Sequence, residues 1–145
     1  MIREIAESDI PALFVVRPLT RENAMSVGEL ARIGITPDSM KAAIKGSHRG
    51  WLFDENGEVG GFAMGNSENS ELTVMAMLPE HESKGIGGEL LTCVENWLES
   101  EGCKNIWLTT DINPKLRAYG FYLRHGWDDW KIEHGLRYMS KVFTE

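Results

Sequence analysis

Residues 78–91 read LPEHESKGIGGELL, with glycines at 85, 87 and 88 between an apolar run and a helical pattern. Glycine inside a regular element costs about 0.5–1 kcal/mol relative to alanine. Three of them in four positions imply a need for bare backbone there. Upstream, Glu71 to Leu78 reads as a strand ended by Pro79. Downstream, Leu90, Leu91, Val94, Trp97 and Leu98 repeat at helical spacing, and Gly102 ends the pattern. The stretch is thus a strand, a glycine loop and a helix N-terminus in sequence. Such a terminus exposes unpaired N–H groups and partial positive charge, which suits an anion and above all a phosphate. Lys84 adds a cation. The alternative is a tight turn with no ligand.

Two phosphate motifs fail. GxxxxGK[ST] is absent, and GxGxxG has Leu90 where its third glycine belongs. Working outward, Met1–Ala6 reads as a strand, and Ser8 or Asp9 caps a helix with Pro11 in its first turn and Pro18 as breaker. Thr20 is expected to cap a second helical stretch ending at Gly34, and Thr36-Pro37 to open a third that closes near Gly46. Trp51–Phe53 and Val59–Met64 form a hairpin through Asp54–Gly57. Asn105–Thr110 is a strand and Pro114–Arg124 a helix. Trp127–Ile132 and Arg137–Phe143 are two last strands joined through His134-Gly135. The order is β, two or three helices, β-β-β, α, β, α, β-β, a mixed α/β (α+β) domain.

The 145 residues suit one domain, 1–145, with a real core. No apolar run approaches the roughly 20 residues that span a bilayer. MIREIAESD has acids and no apolar region of a secretory signal. Cys93 and Cys103 have neither disulfide-framework nor metal spacing, and His48, His81, His125 and His134 lack metal spacing too. The expectation is a cytoplasmic protein with no metal and no membrane partner. A net charge of −7 argues against general nucleic-acid binding and permits a cationic small molecule.

The run Glu82-Ser83-Lys84-Gly85-Ile86-Gly87 resembles the Q/R-x-x-G-x-G/A signature of the GNAT superfamily of N-acetyltransferases. Met75-Ala76-Met77-x-Pro79-Glu80 before it and Gly88-x-Leu90-Leu91 after it are similar to the family's context. Glu82 departs from the usual Gln or Arg. Since a carboxylate repels a pyrophosphate, it is expected to point to solvent. Further on, DINPKLRAYGFYLRHGWDDW resembles the later family segment, with Asn113, Ala118, Tyr122, Gly126 and Trp127 as matches. Asn113 lies two residues further from Ala118 than the commonest spacing.

The resemblance implies a mostly antiparallel central sheet splayed around acetyl-CoA as co-substrate. It implies pyrophosphate binding by Lys84, Gly85, Ile86, Gly87, Gly88 and Glu89, with Asn113 also near the cofactor. A bulged strand at Met75, Ala76 and Met77 would hold the pantetheine arm, and a backbone N–H there would polarise the thioester carbonyl. Tyr122 would protonate the departing thiolate. Its phenol, ordinarily near pKa 10, can supply a proton to a thiolate whose acid is near about 8.5. The competing reading of Tyr122 is a core aromatic beside Phe121 and Trp127. Glu71 matches the glutamate base of the family's histone-acetylating branch; Glu68 is the second choice, and a solvated strand-end acid the alternative. His81 reads as a solvated loop histidine.

The function implied is N-acetyl transfer from acetyl-CoA to a small-molecule or peptide amine, by direct attack. A non-catalytic acyl-CoA-binding or interaction module on the same fold is the rival, and a nucleotide-binding α/β domain a third reading. The acceptor should be chosen by Asp9–Lys45 and Trp127–Phe143. Nothing in the residues decides between a monomer and a homodimer.

Overall fold

The computed structural model describes residues 1–143. Seven strands form one sheet in the order β1-β2-β3-β4-β5-β7-β6. They are β1 (Ile2–Glu4), β2 (His48–Glu55), β3 (Glu58–Asn66), β4 (Glu71–Met77), β5 (Asn105–Asp111), β6 (Asp128–Glu133) and β7 (Leu136–Val142). Every pair is antiparallel except β4–β5. The helices are α1 (Ile10–Val16), α2 (Val27–Arg32), α3 (Pro37–Lys45), α4 (Ile86–Ser100) and α5 (Arg117–Arg124).

Alternation along β3 divides the core in two. Ala63 faces α4, with Leu90, Leu91, Val94, Leu98 and Ile106. Phe62 and Met64 face the other way, onto Ile10, Leu13, Phe14 and Leu30 of α1 and α2. Burying a large aliphatic or aromatic side chain is worth about 1.5–3 kcal/mol, so both faces hold the sheet between helices. One charged side chain is buried among the described residues, Glu95 of α4. It accepts from Trp127 Nε1 at 2.8 Å and from Lys141 Nζ at 3.0 Å, and Lys141 also donates to the His125 carbonyl at 2.9 Å. These bonds tie α4, the end of α5 and β7 together, which fixes α5 over the sheet.

Two helix starts differ from the sequence expectation, both for reasons of capping. The second helix begins at Val27, because Ser26 and Glu29 form a reciprocal capping box, with Ser26 Oγ accepting at 3.1 Å and Glu29 Oε1 at 3.0 Å. Thr20 has no such partner, so the chain before Ser26 runs irregularly. α5 begins at Arg117 and not at Pro114. Asp111 and Asn113 accept from the backbone N–H groups of Asn113 and Lys115 at 2.8 and 3.0 Å, which turns the chain out of helix. The Arg117 N–H then donates to the Glu22 carboxylate at 2.9 Å, a cap supplied by the segment before α2.

β4 and β5 meet only at their starts, where Glu71 faces Trp107 and the Trp107 N–H donates to the Ser70 carbonyl at 3.1 Å. Beyond that point they part. β4 is also bulged: Met64 faces Val74 and Gly65 faces Leu72, so Thr73 is left over, and its Oγ1 donates to the Met64 carbonyl at 3.2 Å. A bulge bends the strand that carries it, here β4, the strand that parts from β5. The parted strands open the cleft described next.

Candidate active site

The gap between β4 and β5 is a cavity of about 970 Å³. Its walls are Leu72–Met77 of β4, Leu108–Asp111 of β5, the N-terminus of α4 and one side of α5. The Leu78 N–H donates to Gly60 on β3 at 2.9 Å. By strand alternation the N–H groups of Val74 and Ala76 also face β3, and those of Met75 and Met77 face the gap without a strand partner. Met75, Ala76 and Met77 all line the cavity.

The glycine question from residues 78–91 has a local answer. Gly85 caps α4 with φ +81°, a left-handed conformation that side chains rarely adopt. Gly88 lies so near His125 that a Cβ would sit 2.8 Å from Nε2. Gly85, Gly87 and Gly88 line the cavity, so the first amides of α4 open onto it. Lys84, Ile86 and Glu89 stand outside the cavity wall; Lys84 and Glu89 are exposed. Asn113 is likewise outside it, its side chain spent on the loop before α5, while Pro114 and Lys115 take its place in the wall.

Glu82 corrects an expectation. It does not point to solvent: its side chain is 11% exposed and lines the cleft. Arg21 Nε donates to Oε1 at 3.2 Å, and Arg117 Nε lies 3.0 Å from Oε2. Arg117 Nη2 also donates to Ser83 Oγ at 3.1 Å. The two guanidinium groups offset the carboxylate, so the loop carries an acid without turning net negative charge on the helix terminus. His81 is not a solvated loop residue either. Its ring lies edge-on to Phe53 at 5.2 Å and fills the space over Gly60, where a Cβ would sit 2.5 Å from Cδ2.

Tyr122 is 7% exposed, packed edge-on against Phe121 and Trp127 at 5.3 and 5.9 Å, and lines the cleft. Its sequence position therefore puts it in the core and in the cleft wall at once. Its hydroxyl has no hydrogen-bond partner among the described residues, and burial raises its pKa above the ordinary phenol value of 10. It stays protonated at neutral pH, the state a proton donor needs. Tyr119 is otherwise engaged: its hydroxyl donates to Asp129 at 2.6 Å outside the cleft.

Glu71 starts β4, beside the last β4–β5 pairing. It is half-buried, and burial raises its carboxyl above the ordinary 4.5 against a lowering hydrogen bond from Asn69 at 3.0 Å. It does not line the cleft. Cross-strand register sets it in one row with Asn66 and His48. His48 lines a second cavity, of about 310 Å³, under α1–α3. Arg17, Thr73 and Val74 line both cavities. Arg17, Arg117, Thr73 and His125 escaped sequence reasoning, because no spacing marks them; only the bulge and the loop packing bring them to the cleft. No group of three His, Cys, Asp or Glu side chains among the described residues could hold a metal ion, and no described helix is long and apolar enough to cross a membrane.

The mixed, mostly antiparallel sheet flanked by helices is the fold of solved N-acetyltransferases. The chain is similar to PaiA N-acetyltransferase of Thermoplasma acidophilum, solved in complex with coenzyme A, at 18% identity and a TM-score of 0.85 over 99% of this chain and 98% of that one. It is similar to the ribosomal-protein-S18-alanine N-acetyltransferase of Escherichia coli at 18% identity and 0.77, over 100% and 94%. It is also similar to yncA of Salmonella typhimurium, solved with its cofactor acetyl-CoA, at 17% and 0.70, over 100% and 94%. The chain belongs to the acetyltransferase (GNAT) family, whose model matches residues 21–127. No curated protein sequence matches it at a significant level.

Proposed function

We propose that this chain is a single-domain N-acetyltransferase that moves the acetyl group of acetyl-CoA to a primary amine by direct attack. The observation that carries this reading is the cleft: parted strands with free Met75 and Met77 amides, the α4 N-terminus at one end and Tyr122 in the wall. The α4 amides from Gly85 to Gly88 would cradle the pyrophosphate, with Lys84 as a more distant cation. The β4 edge would pair with the pantetheine arm.

The amine nitrogen attacks the thioester carbonyl carbon, and a β4 N–H stabilises the oxygen that gains charge. The C–S bond then breaks and Tyr122 gives its proton to the thiolate, while the proton that the attacking nitrogen sheds on becoming an amide returns through water to the Tyr122 phenolate. An alkylamine has a pKa near about 10.4 and arrives protonated. Glu71 takes its proton through water, in keeping with a carboxylate set back from the cleft.

Calorimetric titration with acetyl-CoA, followed by a thiol-release assay over an amine panel, tests the reading. Binding with acceptor-dependent release is expected; binding without release on any acceptor would make the chain an acyl-CoA-binding module. Burial raises the Glu71 pKa and only the carboxylate accepts a proton, so kcat/KM should rise with pH through a midpoint above 4.5. Glu71→Gln should remove that limb and lower kcat by about 10²-fold. A profile unchanged by the substitution excludes Glu71 as the base.

Glu82 offers an electrostatic check. Glu82→Gln keeps the side-chain size and removes a negative charge from beside the phosphate site. Acetyl-CoA should bind about three- to tenfold more tightly, as expected for removing one screened negative charge from the same cleft wall. Weaker binding by calorimetry would mean that the acid matters for ordering the loop more than its charge opposes the ligand.

A further inference from the structure

We infer that the acceptor is an amino acid with an apolar side chain: its carboxylate pairs with Arg17, its side chain enters the second cavity, and its amine lies at the bulge of β4. The inference rests on the acetyl-transfer reading and names the acceptor for the same site. Three observations carry it. The two cavities share Arg17, Thr73 and Val74, so they adjoin at the β4 bulge, and the acceptor is seated across that shared wall. The second cavity is lined by Leu13, Phe14, Leu30, Phe62 and Met64, among others, and by no aspartate or glutamate. Arg17 is half-buried with no carboxylate within 4 Å among the described residues; its Nη1 donates only to the Asn23 carbonyl.

A guanidinium withdrawn from water without an anion is costly, and a carboxylate relieves that cost. Burial lowers the Arg17 pKa with no acid to restore it. His48, the other ionisable group of this cavity, is held toward its neutral form by burial, against a weaker opposing effect of Glu68. The pocket thus offers one fixed positive charge, an apolar hollow and no acid to receive a second cation. A polyamine or an aminoglycoside entering the second cavity would place ammonium groups against Arg17 and apolar walls, since Glu22, Glu82 and Asp111 all line the first cavity instead. A peptide N-terminus has its carboxylate too far along the chain to reach Arg17. An apolar α-amino acid satisfies each surface.

The test compares acetyl-CoA-dependent thiol release with L-methionine, L-leucine and L-phenylalanine against their amides, spermidine and kanamycin. The free acids should exceed their amides by about 10- to 100-fold in kcat/KM, the value of one charge-assisted pair. Arg17→Gln should collapse that ratio to about one. The wild-type ratio needs no variant, so a misfolded substitution does not spoil the test. Equal rates on acid and amide, or best turnover on spermidine or kanamycin, overturn the acceptor and leave acetyl transfer standing. Calorimetry showing no acetyl-CoA binding overturns both.

Discussion

Tyr122→Phe should lower kcat by about 10²-fold or more while leaving acetyl-CoA affinity within about twofold, as expected for loss of a general acid used only in the transition state. The ring packing survives, because phenylalanine keeps the edge-on contacts with Phe121 and Trp127. The lost hydroxyl bonds no other described residue, so no partner is left unsatisfied and the melting temperature should hold or rise slightly. The pH profile gives a second readout. Burial raises the phenol above 10, so the wild-type rate should stay level into alkaline solution and fall only above that ordinary value. A kcat unchanged in the phenylalanine variant would remove Tyr122 as the proton donor and return it to the core alone.

Gly87→Gln should abolish measurable acetyl-CoA binding in a folded protein. A Cβ at position 87 meets Phe121 at 3.4 Å, an ordinary contact, so the backbone has no need to move. Glutamine is also a better helix former than glycine by several tenths of a kcal/mol up to about 1 kcal/mol. The helix should therefore be at least as stable, while the longer side chain occupies the cleft in front of the α4 amides. Gly87→Ala should be much milder. Normal affinity of the glutamine variant by calorimetry would place the phosphates elsewhere. Gly88 is a poorer choice, because its Cβ would drive into His125 and confound binding with repacking.

The element order was legible in the residues because its signals are local. The 3.6-residue period of Leu90, Leu91, Val94, Trp97 and Leu98 marks α4, and Asn56-Gly57, with φ +55° and +87°, marks the β2–β3 turn. Element boundaries were less legible. Ser26 outcompetes Thr20 as a cap because Glu29 completes its box, a signal present in the sequence. The start of α5 could not be read at all, since its cap is Glu22, 95 residues earlier.

The candidate site divides the same way. Local chain chemistry alone determined the glycine loop, the strand before it and the helix after it, since strand composition, turn glycines and a 3.6-residue apolar period are all local signals. Tyr122 and Glu71 were marked only by the resemblance to the family's motifs. Only the tertiary structure decided that Glu82 sits between two arginines drawn from residues 21 and 117, and that Arg17 is shared by two cavities. Those arrangements come from the parting of β4 from β5 and from the segment before α2 folding over the cleft. Charge pairs across such distances in the chain leave no periodicity or spacing behind, because their geometry exists only once the sheet has closed.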